Sequence, residues 1–148
     1  MQHEEKAFAL FLSGYNCAQS VVAAFADATG LEESISLKLS ASFGGGMGKL
    51  REVCGAVSGM LLVLGSLYGY DSLAPGLREQ HYARVRALAK KFKENHQCLI
   101  CRQLLAQQKA AGILPDVPRE TDPCGQYIRS AARLLDEYIK KKPQEFTG

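Results

Sequence analysis

Five cysteines are the residues of this chain best suited to chemistry: Cys17, Cys54, Cys98, Cys101 and Cys124. A thiolate attacks disulfides and other electrophilic sulfur and binds thiophilic metals, whereas the protonated thiol does neither well. What matters is therefore where each cysteine sits relative to groups that favour its ionised form. Asn16 is a good helix N-cap with Gln19 three residues later, which starts a helix at Cys17. Asp122-Pro123, a cap followed by a proline at the first helical position, starts another and places Cys124 in its first turn. Cys54 follows a run of glycines at Gly44, Gly45, Gly46 and Gly48 and opens an apolar segment rich in small residues. Three cysteines thus fall in the first turn of a helix. There the free backbone N–H groups and about half a positive charge favour thiolate over thiol. On this basis Cys54, beside a loop that leaves room for a reactant, is expected to ionise most readily, with Cys17 and Cys124 behind it. Cys101 stands near the start of a further helix.

Any one of these cysteines could equally be a small buried hydrophobe, the commonest fate of a free thiol. Recurrence of the same kind of position argues against that for the set. Cys98 and Cys101 have the C-x-x-C spacing shared by redox and metal sites, but a classical zinc knuckle needs a second close pair that this chain lacks. Cys98 is accordingly placed outside the main set, as an additional metal ligand at most. His96 lies two residues before it and is expected to be a solvated cap at a helix end.

The elements that must position these thiols follow from punctuation and periodicity. Glu4 to Leu12 forms a short helix ended by Ser13-Gly14, and the helix from Cys17 runs to about Thr29, stopped by Gly30. Ser34 caps a helix from Ile35 to Phe43. The glycine run cannot belong to a stable helix, because each glycine costs close to 1 kcal/mol relative to alanine. It reads as a loop with unusual backbone angles that delivers the chain to a buried central helix, Val53 to Leu67, ending at Gly69. Gly55, Ala56, Ser58 and Gly59 leave one side of that helix nearly bare, so that another helix can approach. Pro75-Gly76 starts a long amphipathic helix with Tyr82, Val85, Leu88, Ala89 and Phe92 on one face, fading near Asn95-His96. A helix from about Cys98 or Leu99 to Ala111 and an irregular connection over Ile113 to Thr121 follow. The last helix turns Tyr127, Ile128, Ala131, Leu134, Leu135, Tyr138 and Ile139 inward and closes on Lys140, Lys141 and Lys142, which suits the negative end of its dipole. No strand pair and no repeat is apparent. The expectation is one all-α domain spanning residues 1–148, a compact bundle of about six to seven helices around the central one.

In sequence order, Asn16-Cys17-Ala18-Gln19, the FGGGMG turn from Phe43, Cys54-Gly55-Ala56-Val57-Ser58-Gly59, Cys101-Arg102-Gln103-Leu104-Leu105 and Cys124 form a combination that resembles the C_GCAxxG_C_C family of redox-active proteins. The resemblance implies four family cysteines, here Cys17, Cys54, Cys101 and Cys124, in a small helical protein with a redox role. Cys98 is not among them.

Composition narrows the rest. With 148 residues and 47% hydrophobic side chains the chain can bury a sizeable core, and a net charge of +3 is too small to imply a nucleic-acid partner. Basic residues on the amphipathic helix are interleaved with Glu79 and Glu94, as on a solvated face. The glycine run lacks the Gly-Lys-Ser/Thr ending of a phosphate loop. The stretch from Val53 to Tyr70 is broken by serines and glycines and does not suit a membrane span, and the acidic N-terminus does not resemble a signal peptide. A cytoplasmic location is expected, where an odd number of cysteines points to redox, metal or buried thiols rather than a disulfide framework. Three functions remain open from sequence. One is a thiol-dependent oxidoreductase cycling between dithiol and disulfide or passing electrons. Another is a module in which the same four sulfurs hold an iron–sulfur cluster or another thiophilic metal, completed across a homodimer in one version. The third is a non-catalytic helical protein that binds a redox or transport protein.

Overall fold

The computed structural model describes residues 2–145, with side chains described up to Lys141. Among the described residues there are eight helices: α1 His3–Ser13, α2 Cys17–Ala24, α3 Ala26–Thr29, α4 Glu33–Ser40, α5 Gly55–Tyr68, α6 Leu77–His96, α7 Cys101–Ala110 and α8 Cys124–Glu145. The domain is all-α, with a single isolated antiparallel bridge, Val53 to Ile100, among the described residues. The helix expected over Cys17 to Thr29 breaks at Phe25, which ends α2 and precedes the single turn of α3. The helix expected from Ile35 with Ser34 as its cap starts two residues earlier, at Glu33, and tightens into a 3₁₀ turn over Ala41–Phe43 before the glycines. The expected terminal lysines are in α8, and the side chain of Lys142 lies outside the described residues.

The core is built where α2, α5 and α8 meet. Helix α5 lies against α2 on one side and α8 on another, while α1 and α6 cover α8. Phe25, Met60, Leu64, Leu88, Phe92, Leu104, Ile128 and Leu135 are all shut off from solvent. Burial is more complete in α2, where six of eight residues are buried, than in α5, where seven of fourteen are. The reason is the close seating of the two helices: a side chain built at Gly59 would lie 2.9 Å from the Ala18 carbonyl oxygen and 3.1 Å from Val21 Cβ. The inward face expected for α8 is seen, with Tyr127, Ile128, Ala131, Leu134, Leu135 and Tyr138 buried. On α6 only Leu88 and Phe92 are buried; Tyr82, expected on the apolar face, is 44% exposed.

Candidate functional site

The four family cysteines open four different helices. Cys17, Cys101 and Cys124 are the first residues of α2, α7 and α8, and Cys54 is the N-cap of α5 rather than a residue of its first turn. Each start has a local cause. Asn16 and Gln19 form a reciprocal capping box, with the Asn16 side chain accepting from Gln19 N at 2.8 Å and Gln19 Oε1 accepting from Asn16 N at 3.2 Å. Asp122 Oδ1 accepts from the Cys124 amide at 2.9 Å. The starts of α5 and α7 are joined by main-chain pairing around the isolated bridge. Cys54 N donates to Leu99 O at 2.8 Å and Cys101 N donates to Glu52 O at 2.6 Å, which holds the two cysteines side by side.

The turn before Cys54 supplies the remaining wall. Its left-handed backbone extends beyond the glycines: Met47, Lys49 and Arg51 have φ of 68, 68 and 64°, in addition to Gly45, Gly46 and Gly48. Such values are uncommon for residues with a side chain and mark a constrained segment. Gly46 is required at its place, since φ is +70° and an added Cβ would lie 2.7 Å from Cys101 Cβ. This turn sets Arg51 over Cys101, with Nη1 donating to the Cys101 sulfur at 3.7 Å.

Cys17, Cys54, Cys101 and Cys124 line one cavity of about 70 Å³, together with Gly46, Arg51, Leu104 and Tyr127. A wider hollow of about 270 Å³ beside Tyr70 to Glu79 contains no cysteine. Within the cavity the thiols are not equivalent. Cys17 and Cys124 line the same cavity and influence each other's ionisation: the neighbouring Cys124, with burial, holds the Cys17 proton above the ordinary thiol range, and Cys17 favours ionisation of Cys124 below it. Burial and the nearby Asp122 carboxylate oppose the ionisation of Cys124, and the Gln108 amide, with Nε2 at 3.9 Å, assists it. Cys54, expected to be the most ionised, is instead 4% exposed, and burial pushes its thiol up to about 12 although the nearby Ala56 and Val57 amides favour its ionised form. Loss of solvent outweighs the helix start at this position. All five cysteines are free.

The family model described as "Putative redox-active protein (C_GCAxxG_C_C)" matches residues 15–138. The chain belongs to this family. Neither the curated proteins nor the solved structures contain a match to it. In this C_GCAxxG_C_C member, the matched segment contains all four cavity cysteines and both walls of the cavity.

Cys98 lies outside the cavity, partly buried, with Gln107 Nε2 donating to its sulfur at 3.6 Å. The expected solvated cap at His96 is not what the chain builds. His96 Nε2 is 2.8 Å from Ser130 Oγ, its ring packs against Phe92 and Tyr127, and burial holds its pKa below the ordinary histidine value. Among the described residues no group of three or more His, Cys, Asp and Glu side chains is arranged to hold a metal ion, and no helix is long and apolar enough to cross a membrane. Arg51, Gln108 and Tyr127 were not among the residues expected at the site. Arg51 is separated from Cys101 by fifty residues, and only the left-handed turn brings them together, so periodicity carried no signal for it.

Proposed function

We propose that this protein is a thiol-dependent oxidoreductase in which Cys17 and Cys124 cycle between dithiol and disulfide. Cys124 is the attacking sulfur and Cys17 the resolving one. The observation that supports this most is that the two sulfurs open α2 and α8 on one cavity, where they have one low and one high proton affinity. An attacking thiol must be ionised near neutral pH, while its partner keeps its proton until the second step. Cys54 and Cys101, whose segments are joined by main-chain pairing, form a second dithiol available to the same cavity. All four thiols come from a single chain, so the activity does not call on a second copy. Free thiols with this role suit the reducing cytoplasm.

Four sulfurs on one cavity also favour the metal or iron–sulfur reading, but a cluster needs at least three of them at one centre, and among the described residues no such group is arranged to hold a metal ion. The deciding experiment is a redox titration of anaerobically purified protein, equilibrated with mixtures of oxidised and reduced dithiothreitol, then alkylated and mapped by mass spectrometry. A two-electron transition that links Cys17 to Cys124 supports the proposal. Bound iron or zinc in stoichiometric amount, with no such link at any potential, would replace it with the metal reading.

A further inference from the structure

The size and lining of the cavity restrict what can oxidise the pair. An apolar cavity of about 150 Å³ takes a benzene molecule; this one has about half that volume. Gly45 and Gly46, from a turn held in left-handed backbone up to Lys49, line it, and its least exposed thiol, Cys54, is 4% exposed. A peptide disulfide is larger than this space. Among the described residues Arg51 is the only charged side chain on the lining, and it is held beside Cys101 by its hydrogen bond to sulfur. Tyr127, also on the lining, accepts from Gln108 Nε2 at 3.0 Å through its hydroxyl oxygen, which leaves its own O–H hydrogen to donate. A two-atom oxidant with oxygens that accept hydrogen bonds, and that releases a small anion on reduction, matches this set.

We infer that the oxidant accepted by this cavity is hydrogen peroxide, with Arg51 as the residue that stabilises the departing hydroxide. This rests on the dithiol reading above and names its substrate. In the first step the Cys124 thiolate attacks one peroxide oxygen. An S–O bond forms, the O–O bond breaks, and sulfur passes two electrons to the peroxide. Hydroxide leaves toward the Arg51 guanidinium and takes up the proton that Cys124 had released on ionising, giving water. In the second step Cys17 attacks the sulfur of the Cys124 sulfenic acid. The S–S bond forms, the S–OH bond breaks, and the Cys17 proton leaves with the hydroxyl as a second water. Two thiols and one peroxide thus give one disulfide and two waters.

The test is a single-turnover reaction of fully reduced protein with one equivalent of oxidant, quenched by alkylation and read as the Cys17–Cys124 linked peptide. Hydrogen peroxide is expected to close the pair at least about tenfold faster than it oxidises free cysteine at pH 7, whereas cumene hydroperoxide, too large for the cavity, shows no such acceleration. Arg51→Gln should slow the hydrogen peroxide reaction by about tenfold, and Arg51→Lys, which keeps the charge, should recover part of the loss. A rate equal to that of free cysteine, an equal preference for cumene hydroperoxide, or an Arg51→Gln rate unchanged from wild type would each overturn the inference. The size comparison uses wild-type protein, so it holds even where a variant fails to fold. If the pair closes in the dithiothreitol equilibrium but peroxide gains no rate, only the peroxide inference falls. If the pair closes under neither condition, the dithiol reading falls with it.

Discussion

Seating of α2 on α5 puts Cys17 over the start of α5, and two glycines of the same helix allow its contribution to be measured. A Cβ at Gly59 would lie 2.9 Å from Ala18 O, 3.1 Å from Val21 Cβ and 3.2 Å from Ala18 Cα, so backbone must move to admit it. Gly65, six residues on, has no atom within 4 Å of the same construction. Both lie inside a helix, where glycine to alanine contributes about 1 kcal/mol through propensity alone. Gly65→Ala should therefore stabilise by about that amount. Gly59→Ala receives the same gain but carries an overpacking cost of about 1–3 kcal/mol, leaving it neutral to about 2 kcal/mol destabilised. The two variants should thus differ by about 1–3 kcal/mol, or roughly 2–12 °C in melting temperature for a chain of this size. Urea denaturation of reduced protein, with midpoints compared at a common slope, measures the difference. Equal stabilisation by both substitutions, within about 0.5 kcal/mol, would show that α2 does not lie against Gly59 and would remove the wall that holds Cys17.

Two further outcomes follow from other parts of the structure. Because the Cys54 thiol is raised to about 12, the folded state keeps a proton that the unfolded chain releases near the ordinary thiol value. The resulting stability is intact below that ordinary value and is lost as pH rises toward 12, so wild type should weaken more steeply over this window than Cys54→Ala, as read by chemical denaturation at a series of pH values. Arg119 ties the connection before α8 to the end of α1, donating to Phe11 O at 2.8 Å and Tyr15 O at 2.6 Å and stacking on the Phe11 ring. Arg119→Ala should cost about 2 kcal/mol in the same denaturation assay, and a change under about 0.5 kcal/mol would mean that these bonds merely replace bonds to water.

How much of this was legible in the chain depends on the range of the cause. Asn16 with Gln19, and Asp122 with Pro123, are local signals; the first puts its helix start at Cys17 as expected, and the second start falls one residue later than expected, at Cys124 rather than Pro123. The break at Phe25 has no comparable punctuation; it falls at a fully buried ring stacked on His3. Cys54 shows the limit most clearly. Its place ahead of a glycine-bearing helix was readable, but its ionisation depends on how much water the assembled cavity admits, and that is set by residues from α2, α7 and α8 together. Arg51 was hidden for a related reason: the left-handed backbone extends through Met47, Lys49 and Arg51, residues whose side chains ordinarily argue against it.

The asymmetry of the Cys17–Cys124 pair is the central claim, and a titration of protein labelled with ¹³C at cysteine Cβ tests it most directly. Cys124 is predicted to ionise below the ordinary thiol value of about 8.5 and ahead of both Cys17 and Cys54, and its midpoint should move upward in Cys17→Ala, where that neighbour is gone. Ionisation of Cys54 before Cys124, or a Cys124 midpoint unmoved by loss of Cys17, would contradict the account.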